Sequence, residues 1–204
     1  MAQYRKDEIE EAIARAALAV FAERSYDGAA MAEIARTAGI SIGNLYRYHE
    51  GKEALFEAVV PPELVIRFER LLRRRVGALG GVDDVDKLRR DAPYHEASEE
   101  LLAFCLAHRL AVVILLGRAR GSRHQDFAER VVQLLLKLAV RHFHRLRPDT
   151  KLTAALRFNL ERIYRALIAA MVEALAQHED EAAIREIVAG YSRYHLAGLS
   201  RLFS

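Results

Sequence analysis

Residues Met31 to His49 read MAEIARTAGISIGNLYRYH, and this stretch decides the fold. Two short helices are written here, meeting steeply across a tight turn. Where the helices approach each other the residue must be small, and Ala35 is. Four residues on, the turn needs a left-handed backbone, which Gly39 adopts without steric penalty. Six residues after that glycine, Leu45 pins the second helix to the interior, with Ile34, Ala38 and Ile40 completing the apolar side. Ser41 stands where a hydroxyl caps the second helix.

The outer face of that second helix carries the chemistry. It presents Ser41, Ile42, Gly43, Asn44, Arg47 and Tyr48. The free N–H groups behind Ser41 suit a phosphate. Gly43 lets a backbone come close, Asn44 can bond a phosphate or read adenine, and Arg47 has the fork that fits guanine O6 and N7. Tyr46 and Tyr48 add hydroxyls for phosphates. Lys52, opening the next helix, brings a charge to the same side.

Outward from this core, almost every long segment has helical period. Ile9, Ile13, Ala16, Ala17, Val20 and Phe21 recur at threes and fours. Lys52 opens a helix through Leu55, Phe56, Val59 and on to Leu72, which Pro61-Pro62 should kink or interrupt. Gly77, Gly80, Gly81 and the acidic run Asp83, Asp84, Asp86 predict a loop and then a short helix to about Arg90. Helices follow near Tyr94–Gly117, broken inside, and near Gln125–Leu146. Pro148-Asp149-Thr150 is punctuation. Two last helices span about Lys151–Gln177 and Asp180–Phe203. No strand, repeat or low-complexity tail is evident. The expected architecture is all-α, about nine helices, with a three-helix head at 1–52 and a larger helical domain at 53–204.

Composition sets bounds on this reading. The chain has 204 residues, 52% hydrophobic and 29% charged, with net charge +3. The surplus is not where DNA would want it: residues 1–60 hold seven basic against ten acidic side chains. Recognition must therefore rest on a few well-placed donors, not on bulk charge. One cysteine, Cys105, excludes an internal disulfide and fits a reducing cytoplasm. The N-terminus lacks the layout of a signal peptide. The most apolar window, Leu101–Gly117, is too short to span a bilayer and reads as a buried helix. His142 and His144 diverge on a helix, no Glu-x-x-His occurs, and no nucleotide or nucleophile motif is present, so neither metal nor cofactor nor catalysis is expected. Arg73-Arg74-Arg75 reads as a solvated helix face.

The run Ala16 to Leu55, AALAVFAERSYDGAAMAEIARTAGISIGNLYRYHEGKEAL, resembles the head of the TetR family of transcriptional regulators. The matching positions are Phe21, Tyr26, Ile34, Ala35, Ala38, Gly39, Ser41, Gly43, Leu45, Tyr46, Tyr48, Lys52, Glu53 and Leu55. Ser25 departs from the usual glycine, Ala30 from Thr or Ser, Asn44 from Thr, His49 from Phe and Gly51 from Ser. The resemblance implies a homodimer on a palindromic double-stranded DNA operator, released by a small-molecule effector bound in the C-terminal domain. It implies contacts from Ala30 and Met31 at the opening of the preceding helix, although Ala30 lacks the phosphate-binding hydroxyl.

Two apolar stripes on the last helices suit a four-helix dimer interface. The first includes Leu152, Leu156, Leu160, Ile163, Leu167 and Met171; the second includes Ile187, Tyr191, Tyr194 and Leu199. Packing inside one chain is the plainer use of the same stripes. Phe104, Cys105, His108 and Arg109, with Asn159, Arg162 and Tyr164, are candidates for the effector pocket. A helical ligand-binding or catalytic domain with no DNA role is the alternative; salt-dependent binding of a promoter duplex separates the two.

Overall fold

A computed structural model describes residues 2–79, 89, 92–146, 148 and 151–202. All regular structure among them is helical: α1 (Ala2–Gly28), α2 (Met31–Thr37), α3 (Ile42–Tyr48), α4 (Lys52–Val59), α5 (Pro62–Gly77), α6 (Pro93–Ala107), α7 (Arg109–Val113), a π-helical turn (Ile114–Arg118), α8 (Phe127–Leu146), α9 (Ala154–Gln177) and α10 (Glu181–Leu202). Chain packing forms two compact units, Met1–Ile66 with Arg109–Phe127, and Arg67–His108 with Ala128–Ser204.

In the first unit, the apolar face of α1 supplies Ile13, Ala17, Val20 and Phe21, all nearly solvent-free. Leu55 and Phe56 of α4 meet it, and Phe21, Tyr26 and Phe56 form an aromatic knot. Phe56 stands edge-on to Tyr26 at 4.9 Å and to Phe21 at 5.4 Å, the geometry that ring quadrupoles favour. The stretch Val112–Leu115 is equally buried and packs with α1. The loop after it is held by three arginines. Arg118 Nε donates to the Ala22 carbonyl at 3.3 Å, Arg120 Nε to the Asp27 carboxylate at 2.6 Å, and Arg123 to Glu57 at 2.6 Å. Gly121 turns this loop at φ 82°, and a Cβ there would lie 3.3 Å from Asp27 Cβ, so both backbone and space ask for glycine.

Proline interrupts the helix that begins at Lys52, as the pair Pro61-Pro62 predicts. α4 ends at Val59, Val60 leaves the helix at φ −127° and ψ 68°, and Pro62 opens α5. The predicted break within 94–117 falls at His108, whose φ of −117° and ψ of 33° leave the helix. Residues 111–116 after the break are buried, whereas α6 before it buries only Tyr94, Ala97 and Phe104.

The second unit packs α6, α8, α9, α10 and most of α5. α9 turns Leu160, Tyr164, Ile168, Val172 and Leu175 inward at helical spacing. Thr153 Oγ1 caps α9 by accepting from Leu156 N–H at 3.1 Å, and the Asp180 carboxylate caps α10 through Ala182 and Ala183 N–H. Each such cap contributes about 1 kcal/mol. Arg74 of α5 bridges Glu96 and Glu100 of α6, and Arg185 of α10 holds Glu99. The loop and short helix expected through Gly80, Gly81, Asp83, Asp84, Asp86 and Arg90, together with Asp149, Thr150 and Phe203, lie outside the described residues.

Candidate nucleic-acid interface

The turn between α2 and α3 is closed by backbone alone. Gly39 sits at φ 71°, its N–H donates to the Arg36 carbonyl at 3.1 Å, and Ile40 N–H donates to Ala35 at 3.0 Å. This crossed pair of bonds ends a helix while satisfying its last carbonyls. A Cβ at Gly39 would meet no atom within 4 Å, so the left-handed backbone, not crowding, requires glycine. Ser41 Oγ then caps α3 by accepting from Asn44 N–H at 3.1 Å. Ile34, Ala35 and Leu45 are buried beneath the two helices. Interior and pivot stand where the spacing of Ala35, Gly39 and Leu45 puts them.

α3 keeps its other face in solvent. Ser41, Gly43 and Arg47 are exposed, Ile42 is 46% exposed and Tyr46 49%, while Asn44 and Tyr48 are half-buried. The side chains of Asn44, Tyr46, Arg47 and Tyr48 make no hydrogen bond or ion pair among the described residues. Arg47 and Tyr48 border a shallow groove with Lys6 and Glu10 of α1, which pair at 3.7 Å. Gly43 has open space around it and a helical backbone, so the chain's own packing does not call for glycine there.

Two sequence-derived assignments look different in the fold. Lys52 does not extend toward solvent. Its ammonium donates to the carbonyls of Tyr26 at 2.8 Å, Ala29 at 3.1 Å and Asp27 at 3.5 Å, and stands 4.7 Å from the centre of the Tyr26 ring. It closes the end of α1, where the carbonyls have no helical partners. Met31 is buried, so its side chain lies in the core and only its backbone borders the opening of α2. Ala30 is exposed at that opening but offers no side-chain cap. His49 is half-buried just after α3; burial lowers its pKa from the ordinary value, and Glu10 opposes that shift.

The expected effector residues are divided between the two units. Phe104 and His108 of the second unit have ring centres 4.7 Å apart with planes tilted by 52°, and the Arg67 guanidinium lies 5.3 Å from the Phe104 ring. The Cys105 thiol beside them is pushed up to about 12 by burial, so it stays protonated and unreactive. Arg109 belongs to the first unit. Asn159 and Arg162 face solvent, while Tyr164 is buried. Of the expected dimer residues, Leu160 and Leu199 are sealed within the second unit, because α9 and α10 turn their inner stripes onto each other. Leu156, Ile163, Leu167, Met171, Ile187 and Tyr191 are half-buried and Tyr194 is 75% exposed. The most exposed large apolar side chain on α9 is Phe158, at 63%, which lies outside the expected stripe. Among the described residues no cluster of His, Cys, Asp and Glu could hold a metal ion, and no single helix is long and apolar enough to cross a membrane.

Residues 13–59, the segment that contains this geometry, match the family "Bacterial regulatory proteins, tetR family". No curated protein matches the chain in sequence. Two solved structures are similar along nearly their full length. One is a candidate TetR-family transcriptional regulator from Mesorhizobium loti MAFF303099, 18% identical over 95% of this chain and 97% of that one, with a TM-score of 0.37. The other is a candidate transcriptional regulator from Pseudomonas aeruginosa PAO1, 20% identical over 96% of this chain and 93% of that one, with a TM-score of 0.42.

Proposed function

We propose, from the premise that residues 13–59 are the N-terminal domain of a tetR-family transcriptional regulator, that this chain is a repressor whose α3 enters the major groove of a palindromic operator. The observation that carries the reading is the outward face of α3. It holds an unpartnered arginine, an exposed Ile42 and Tyr46, and a glycine that the chain's own packing does not require. Arg47 reads a base, with Ile42 and Asn44 beside it, while Ser41, Tyr46 and Tyr48 hold phosphates. Lys52, committed to the end of α1, supports the head instead of touching DNA.

A two-fold operator calls for two copies of the chain, with heads about 34–36 Å apart. Leu152, Phe158 and Tyr194, all exposed, support a second copy meeting the outer faces of α9 and α10. A small-molecule effector in the larger unit releases the operator by favouring a different spacing of the heads, since a ligand shifts only what it binds unequally.

The test is binding of the purified protein to duplexes covering the DNA upstream of its own coding region, measured by fluorescence anisotropy over a range of salt. Binding should weaken steeply as salt rises. Arg47→Ala should cost about 1–3 kcal/mol and relax preference at one position of each half-site. Gly43→Ala should leave the melting temperature equal or higher, because alanine is the better helix former by about 1 kcal/mol, yet weaken the complex. Full affinity in both variants would remove α3 from the interface.

A further inference from the structure

Among the described residues, the second unit gathers polar groups in its interior around one buried histidine, His195. Arg75 of α5 meets Tyr94 and Ser98 of α6 there, and Tyr164 of α9 meets His195 of α10, both within reach of the Arg75 charge. Arg75 donates from Nε to Ser98 Oγ at 3.1 Å and from a terminal nitrogen to the Tyr94 hydroxyl at 2.7 Å, with its guanidinium 5.1 Å from the Tyr94 ring centre. Tyr164 and His195 face each other with ring centres 5.4 Å apart. Tyr94, Tyr164 and His195 are each more than nine-tenths buried.

Two features distinguish this cluster from a structural network. The first is charge. Arg75 has no carboxylate partner among the described residues, although α6 carries three glutamates nearby. All three are taken: Glu96 and Glu100 by Arg74, and Glu99 by Arg185. A half-buried cation resting on two neutral hydroxyls is an expensive arrangement that an anion would relieve. The second is openness. No sealed polar side-chain atom among the described residues lacks a hydrogen bond. Tyr164 and His195 make none, so the Tyr164 hydroxyl and the His195 ring nitrogens must open onto space that solvent can enter.

The geometry points to a carboxylate-binding site formed by Arg75, Tyr164 and His195, which receives the acidic head of a small organic acid in the interior of the second unit. Arg75 keeps N–H groups free beyond those given to Ser98 and Tyr94, and its planar fork matches a carboxylate. Burial, then the Arg75 charge, holds His195 down to about 4, so the ring is neutral at physiological pH and offers one N–H and one lone pair. Burial raises Tyr164 well above the ordinary phenol range, and its hydroxyl remains a donor. One turn to either side on the same faces stand Leu160 and Ile168 of α9, and Tyr191 and Leu199 of α10. These residues suit an apolar body attached to the acid. That the acid is the releasing signal rests on the regulator reading above; that it binds does not.

The experiment uses the full chain, with sodium octanoate and sodium benzoate as probes and the corresponding amides as uncharged controls, followed by calorimetry and thermal melting. At least one acid should bind and raise the melting temperature, while its amide should not. Arg75→Gln should weaken that acid about 10- to 100-fold, the loss expected for a charged hydrogen-bond partner, and Tyr164→Phe by a smaller factor. Arg75→Lys, which keeps the charge and loses the fork, covers the case in which Arg75→Gln does not fold. Binding of neither acid, equal binding of acid and amide, or full affinity in the folded arginine variants would overturn the site. The same samples are then assayed on the promoter duplexes. Acid binding by a protein that ignores DNA sinks the regulator reading alone, and DNA binding by a protein that ignores both acids sinks the carboxylate site alone.

Discussion

Ser25 is the only residue other than glycine with positive φ among those described, at φ 65° and ψ 163°, where α1 kinks before its last turn. That region of backbone space belongs almost wholly to glycine, and an L side chain there stores about 1–3 kcal/mol. The sequence marks the place, since Ser25 stands where glycine is usual in the family it resembles. Ser25→Gly relieves the strain but adds unfolded-state freedom worth about 0.5–1 kcal/mol. The net expectation is a gain of about 1 kcal/mol in chemical denaturation, with DNA affinity unchanged. A loss of stability would mean that the serine contributes something its backbone does not reveal. Gly39 is the opposite case. There the required conformation was legible from spacing alone, because a tight turn between short helices leaves few places for a left-handed residue.

At the level of elements, the periodicity of the chain discloses most helices and both proline and histidine-bounded breaks, but not what the side chains at helix starts do. Lys52 is the instructive example. A lysine at the first position of a helix reads as a charge free to meet phosphate, yet the kinked end of α1 places three carbonyls within reach of its ammonium. That demand comes from a residue 27 positions earlier in the chain, Ser25, whose unusual dihedral no local pattern displays. Lys52→Ala should therefore lower head stability by about 1–3 kcal/mol, as carbonyls lose a charged donor. The slope of log affinity against log salt should stay at the wild-type value, whereas loss of a phosphate contact would reduce it by about one. The arginine run at 73–75 shows the same limit. Arg73 and Arg74 face solvent as read, but α5 turns Arg75 inward, and only the placement of α6, α9 and α10 reveals what it meets.

For the molecule as a whole, the same buried histidine governs acid sensitivity. His195 ordinarily titrates near 6.5 but is held to about 4 in the folded chain, first by burial and then by Arg75. Unfolding lets it take up a proton between those values, so stability is full above about pH 6.5 and falls as pH drops toward 4. The loss over that window is about 3 kcal/mol. Asp27, held below its ordinary value chiefly by Arg120, adds its own loss only at lower pH. Melting curves from pH 7.5 to 4 should show the decline, and His195→Asn should flatten it. An unaltered slope in that variant would place the titrating group elsewhere.

The arginine-stapled segment 109–127 has a practical consequence for anyone dividing this protein. The conventional cut after the third or fourth helix would remove Val112, Val113, Ile114 and Leu115, the layer lying on α1, and with it the anchors at Ala22, Asp27 and Glu57. A fragment ending near residue 60 would present a wide oily flank to water and should be recovered as aggregate, so grafting the N-terminal head onto another protein would require carrying a piece of chain fifty residues downstream.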